Sequence, residues 1–386
     1  PCLTLEKLAM KKTLIALAVL TVSGASFAQS SVQIDGILDA GFLSADYKGT
    51  RVGGIANNGA ATSQINFRGS EDLGGGLKAN FRVETDWNTV SNSGNTGKVP
   101  TATTTADTAG TPPVLNGNYT TKLTGGAAST FGNGEIRVGL SGAFGSIDMG
   151  AVNYNSLTTF LTGQPFGTAI GSGFRVTAVN DAQAVSAVRS DNSAKYVSPS
   201  FNGLTASLYY AGKQTKASSS DFSTTFGAYD MQGTKEIGVN YANGPLVASF
   251  SNLKQDYNQV GTGTTDSTVN TLGANYTMGA AKFFVMNQTN KKSDNSVNNK
   301  YTTVSAAYTM GATTVMAQVG TLKNVAGLKT DMTSLGANYS LSKRTTVYAR
   351  YESFDDKAGV AAITGYTAVN GETTRTRTGL GVIHAF

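Results

Sequence analysis

Cysteine, histidine and proline are scarce in this sequence, and it has no long hydrophobic run beyond its first two dozen residues. The single cysteine is Cys2, so the body of the chain has neither disulfide staples nor thiol chemistry. The single histidine is His384, third from the end. Hydrolytic chemistry usually recruits a histidine as general base, and a His/Cys metal site needs several such side chains. The glycine-containing stretches GSGF and GTGTT read as turns rather than phosphate-binding loops. The expectation is therefore a protein that is not an enzyme and uses no cofactor and no metal. Thirty Lys and Arg are scattered among 24 Asp and Glu, which gives no concentrated basic patch for nucleic acid. After residue 22 nothing approaches ~18 consecutive apolar residues, so no transmembrane helix is expected and any membrane role must use strands. Hydrophobic residues make up only 40% of the chain. That is little material for the core of a soluble domain of this length.

The first residues present a different pattern. Met10, Lys11 and Lys12 open a positive segment, TLIALAVLTV (residues 13–22) is apolar, and Ser26-Phe27-Ala28 offers a small-residue cleavage site. Residues 10–28 read as a secretory signal peptide. Residues 1–9 read as an upstream extension foreign to the native protein, and residues 29–386 as the folded barrel.

Glycine (46 residues), Ser, Thr, Asn, Tyr and Val dominate the remainder. Seven tight turns recur, at residues 70–76, 141–145, 198–203, 242–245, 278–280, 310–312 and 341–344. Long polar stretches such as residues 88–129, 155–185 and 355–372 alternate with them. Seven short turns and eight long loops predict sixteen antiparallel strands. Within them, LKANFRVETDW (residues 77–87) alternates Leu77, Phe81, Val83 and Trp87 with Lys78, Arg82, Glu84 and Asp86. Period-two alternation marks a strand with two unlike faces. In a membrane barrel the apolar set faces lipid and the charged set faces the lumen. The reverse would place basic residues in hydrocarbon at up to ~2–4 kcal/mol each. Tyr196, Tyr241, Tyr276, Tyr308 and Tyr339 each precede a tight turn, which predicts a periplasmic aromatic girdle. GLGVIHAF closes the sequence as an alternating strand ending in Phe386. Such a terminus is similar to the signal by which outer-membrane proteins reach the barrel-assembly machinery.

Four stretches carry a family resemblance. RGSEDLGGGLKANFRVET (residues 68–85), VGLSGAFGSIDMG (residues 138–150), RSDNSAKYVSPSFNG (residues 189–203) and the final HAF closely resemble the general porins of beta-proteobacteria. The resemblance implies a sixteen-stranded all-β transmembrane barrel in the outer membrane of a Gram-negative bacterium, surrounded by lipid and lipopolysaccharide. It further implies homotrimers, a third loop folded into the lumen, and an anion preference set by arginines at the constriction. Two positions that the family usually fills with basic residues are Gln64 and Ala151 here.

Strand parity nominates the pore-lining residues as Arg68, Arg82, Arg137, Arg189, Asp191, Lys195, Arg350, Arg375 and Arg377. Arg189, Asp191, Ser193 and Lys195 should form one stripe, and Arg375 and Arg377 should share one face. The third loop, residues 155–185, contains Phe160, Leu161, Phe166, Ile170 and Phe174 but few charges. Packed on the inner wall it would bury the apolar set and turn Arg175 or Asp181 toward the eyelet. The function expected is a passive channel for small hydrophilic solutes and ions, weakly anion-selective. The alternative is a channel selective for organic acids, in which arginines act as carboxylate forks.

Overall fold

The computed structural model describes residues 31–47, 50–90, 131–174, 188–212, 214–215, 229–259, 263–357 and 374–386. The expected signal peptide (residues 10–28), residues 1–9, Arg175 and Asp181 lie outside these residues. The elements are β1 (Ser31–Tyr47), β2 (Thr50–Asn57), β3 (Gln64–Gly74), β4 (Leu77–Asp86), β5 (Ile136–Gly142) and β6 (Gly145–Asn153). One helix, α1 (Asn155–Thr162), follows. Then come β7 (Arg189–Val197), β8 (Leu204–Ala211), β9 (Gln214–Thr215), β10 (Tyr229–Asn243), β11 (Leu246–Gln259), β12 (Gly263–Met278) and β13 (Ala281–Lys292). The last five are β14 (Asn298–Met310), β15 (Thr313–Lys323), β16 (Lys329–Ser340), β17 (Thr345–Asp356) and β18 (Thr374–Ala385).

These 18 segments form one antiparallel sheet that closes when β1 pairs β18. Two pairs of segments each make a single stave. β2 and β3 lie end to end along β1, and β8 and β9 lie end to end along β10. The barrel is therefore sixteen-stranded. The seven short turns fall where glycine and polar residues punctuate the alternation. At the β12–β13 and β14–β15 turns, Gly279 and Gly311 adopt φ of +59° and +57°, a region that side-chain-bearing residues rarely occupy.

Alternation decides the two faces. On β13, Phe283 and Val285 are exposed while Met286 and Gln288 are buried. On β4, Phe81 is exposed, as is Trp87 just past its end, while Glu84 is buried. Apolar groups thus cover the outside of the staves and polar groups the inside, the inverse of a soluble sheet. Tyr276, Tyr308 and Tyr339 are exposed on the outer face next to their turns, and Tyr196 and Tyr241 are partly covered there. Phe386 is exposed on the same face and joins the ladder: its N–H donates to the Gly36 carbonyl (3.1 Å) and its carbonyl accepts from the Gly36 N–H (3.2 Å).

One stripe predicted by parity is broken. Between β6 and β7 the register shifts, and Asn192 takes φ of +52°. The extra residue of this bulge leaves Ser190 and Ser193 buried but Asp191 exposed, so Arg189, Asp191, Ser193 and Lys195 do not line up.

Candidate functional site in the lumen

The segment from α1 to Phe174 packs against inward-facing side chains of β10–β17. α1 has no side-chain N-cap of its own. Instead the Glu236 carboxylate on β10 accepts the Asn155 and Ser156 backbone N–H groups, the latter at 2.7 Å. An anion at a helix N-terminus satisfies orphan donors and meets the positive end of the helix dipole. The helix can come this close because the wall beneath it lacks side chains. A Cβ at Gly273 would collide with the Thr159 carbonyl, and one at Gly238 would collide with Asn155. Phe160 then enters a cluster with Met286, Tyr301, Leu322, Met332 and Phe354, with Phe174 packed edge-on at 5.2 Å. Ile170 meets Leu43 and Ala56. Backbone groups of the segment are also held: the Gly171 N–H donates to Glu352 (2.8 Å), and Gln318 donates to the Gly171 and Ser172 carbonyls (3.2 Å each). Of the apolar residues in this loop, Leu161 departs from the expected burial and is 43% exposed.

Across the lumen from this sparsely charged region, Arg68, Arg82 and Arg137 occupy one register row on β3, β4 and β5. Neighbouring strands lie about 4.8 Å apart, so the guanidinium groups stand side by side. Each has carboxylate partners. Arg68 pairs with Asp35 (2.6 Å), Arg82 with Glu84 and with Glu135 (2.7 Å), and Arg137 with Asp148 (2.5 Å) and Glu135 (3.7 Å). Arg189 reaches Glu84 at 3.6 Å and donates to Asn153 Oδ1 at 2.9 Å, while Lys195 donates to the Asn153 carbonyl at 3.0 Å.

A second basic group lies on β17 and β18. Arg377 pairs with Glu352 (2.5 Å) and Arg375 with Asp356 (3.4 Å). Arg350 makes no ion pair among the described residues. It donates to the Ala337 and Ala349 carbonyls and lies 5.8 Å from the Phe166 ring and 5.4 Å from the Tyr348 ring. Buried cations are tolerated where carbonyls and ring faces replace water in this way.

The lumen pairs share an asymmetry. In every one the basic member is the more exposed: Arg137 is 28% exposed against 12% for Asp148, and Arg377 18% against 0% for Glu352. Two of these acids are also held by backbone donors: Glu135 accepts the Asn153 N–H (3.1 Å) and Glu352 that of Gly171 (2.8 Å). Asp39, outside these pairs, accepts the N–H groups of Ala60 and Ala61 at 2.8 and 2.7 Å. Water in the passage therefore meets guanidinium edges first.

Parity alone does not reveal this layering, nor the anchoring roles of Glu236 and Asp39. One signal was available, since Arg68 and Arg82 lie almost equidistant from the glycine turn at residues 74–76 and must face each other across that hairpin. The edge-on stack of Tyr154 on Tyr209 (4.9 Å) and the burial of Tyr301 follow from loop packing and had no comparable mark.

The Gram-negative porin family model matches residues 13–359. The chain belongs to that family. Outer membrane porin protein 32 of Delftia acidovorans is 32% identical, the match covering 98% of this chain and all of that one. Major outer membrane protein P.IB of Neisseria lactamica is 26% identical over the same shares. Among solved structures, the anion-selective porin from Comamonas acidovorans superposes with a TM-score of 0.72 at 26% identity, covering 93% of this chain and 100% of that one. The trimer form of OmpT from Vibrio cholerae, at 15% identity and a TM-score of 0.59 over 92% and 99%, shares the fold. As a porin, this chain is an integral β-barrel of the outer membrane and forms a passive aqueous channel.

Proposed function

We propose that this porin passes small hydrophilic solutes with a weak preference for anions, and that the preference comes from layering rather than net charge. The carrying observation is that each ion-paired lumen arginine is more exposed than the carboxylate that neutralises it. Near-neutral pairs give only a weak mean field. Because the positive ends are nearer the ions, and a low-dielectric wall focuses their field, the potential along the axis is positive. The anion-selective porin from Comamonas acidovorans supports the same sign.

A second reading, selectivity for organic acids, is favoured by the three-arginine row, whose side-by-side forks suit a carboxylate. We read the assembly as a homotrimer, supported by the trimer form of OmpT and by the apolar outward surface of β3–β6, where Ile136, Val138 and Met149 are exposed. Phe386 we read as the mark for the barrel-assembly machinery. Nothing in the lumen described here brings a nucleophile to a general base, and we read the protein as a channel without catalytic activity.

The test is a planar-bilayer reversal potential under a KCl gradient. Arg82→Ala with Arg137→Ala leaves Glu84, Glu135 and Asp148 facing water, and the sign of the potential should invert. An unchanged potential refutes the layered wall. Liposome swelling with neutral and carboxylate solutes of matched mass separates the two readings, since only a saturable excess for the acids supports the second.

A further inference from the structure

Arg350 is left out of the layering of the lumen wall: it is 6% exposed, and no carboxylate among the described residues pairs with it. Two nearby acids are committed elsewhere. Glu352, two residues further along the same face of β17, pairs with Arg377 and accepts the Gly171 N–H (2.8 Å). Asp39 accepts the Tyr348 O–H (2.7 Å) and the Ala60 and Ala61 N–H groups. The Arg350 guanidinium instead donates from one Nη to the backbone carbonyls of Ala337 (3.2 Å) and Ala349 (3.0 Å). Its Nε is also buried and has no acceptor among the described residues. A full positive charge therefore stands in the wall without a carboxylate of its own.

What covers this charge is the third loop. The Phe166 ring, 1% exposed, has its centroid 5.8 Å from the Arg350 guanidinium, and the Tyr348 ring lies at 5.4 Å. Two features hold the Phe166 ring in place. The Phe166 N–H donates to Gln164 Oε1 (2.6 Å), and the Gln164 amide donates to the Gly167 carbonyl (2.7 Å), so one side chain cinches the turn that carries the ring. Gly336 faces Arg350 in the register of β16 and β17, and a Cβ there would stand 2.8 Å from the ring and 3.2 Å from Arg350. Height makes the cover matter. Arg350 is the sixth residue of β17 and Arg82 the sixth of β4, both counted from a short turn. Strands of one barrel share a similar tilt, so the covered cation sits at about the level of the arginine row.

We propose that Phe166 is a specificity-determining residue: its ring screens Arg350 from passing ions and holds the anion preference below what the cations at that level would give. The ring keeps anions and water off the guanidinium, and its negative face offsets part of the charge at close range. The inference deepens the weak anion preference proposed for this porin and rests on it. A unit charge about 7 Å from an ion in water changes that ion's local concentration by roughly a factor of e, in opposite senses for anions and cations. With screening over about 10 Å at 0.1 M salt, uncovering Arg350 should raise the anion-to-cation permeability ratio roughly three-fold.

The full folded protein tests this in two ways. Phenylglyoxal, which modifies accessible arginines, should label Arg68 and Arg137 in the wild type, where they are 46% and 28% exposed, and spare Arg350. Peptide mass spectrometry reads the labels. Phe166→Ala should bring Arg350 to the labelling rate of Arg137. In planar bilayers under a KCl gradient, Phe166→Ala should show the rise in permeability ratio, and Arg350→Gln added to it should abolish the rise. A loop that had merely loosened would change conductance without that dependence on Arg350. Channel openings report that each variant has folded. Should Phe166→Ala not fold, Phe166→Leu decides, with slower labelling of Arg350 and a smaller rise in the same direction. Labelling of wild-type Arg350 at the rate of Arg137, an unchanged ratio once Phe166 is replaced, or a rise that survives Arg350→Gln overturns the proposal. Each shift is read relative to the wild type, so a cation-preferring wild type would refute the layered wall while the masking of Arg350 stands or falls on its own result.

Discussion

Two halves of the barrel wall have opposite designs. From β10 to β16 the inner face is sparsely charged, carrying mainly Thr, Ser, Asn, Gln and apolar groups with its buried acid Glu236 committed to the start of α1, while the outer face ends in lysines. From β3 to β6 the inner face carries Arg68, Arg82, Glu84, Arg137 and Asp148, while the outer face is apolar. The sparsely charged half is the one that α1 and its continuation cover, and a packed loop needs apolar seats and backbone partners rather than hydrated charge. The charged half borders water and can keep its ions solvated. A single chain thus divides plugging from ion handling around the circumference, and the division follows from burial.

Several substitutions sharpen that contrast. The largest effect is expected from Glu84→Gln with Glu135→Gln. It removes two buried negative charges behind Arg82, Arg137 and Arg189, and the anion-to-cation permeability ratio should rise roughly ten-fold. Reversal potentials measure it, and an unchanged ratio would mean that these two acids do not shape the field the ions meet. A smaller effect is expected from Glu236→Ala on the sparsely charged side. The Asn155 and Ser156 N–H groups lose their charged acceptor, at about 2–3 kcal/mol, and chemical denaturation should record the loss while single-channel traces become noisier. The smallest is Lys300→Gln with Lys323→Gln, on the outer wall with the sheet between them and the lumen, where salt screens charge over about 10 Å at 0.1 M. Ion selectivity should stay at the wild-type value, and a measurable shift would show that the outer charge reaches the pore.

Much of this architecture was legible in the sequence because a barrel stave is the simplest periodic object a chain can make. The alternation of residues 77–87 fixes both faces of β4, and the glycine turns at residues 74–76, 279 and 311 fix the hairpin registers. What stayed hidden depends on contacts without periodicity. The bulge at Asn192 turns on one left-handed residue that no pattern announces. The pairing of Arg82 with Glu135 spans 53 residues, and the use of Asp39 and Glu236 as backbone acceptors requires knowing where two loops travel. Parity named the inward ions but could not rank them by depth, and depth is what sets their influence on a passing solute.

The glycines under α1 have one more implication. At Gly238 and Gly273 the spacing between plug and wall is set by hydrogen atoms alone. A single methyl group at either place would push the helix toward the axis, so relatives could retune the bore by steps of one carbon without touching any ion.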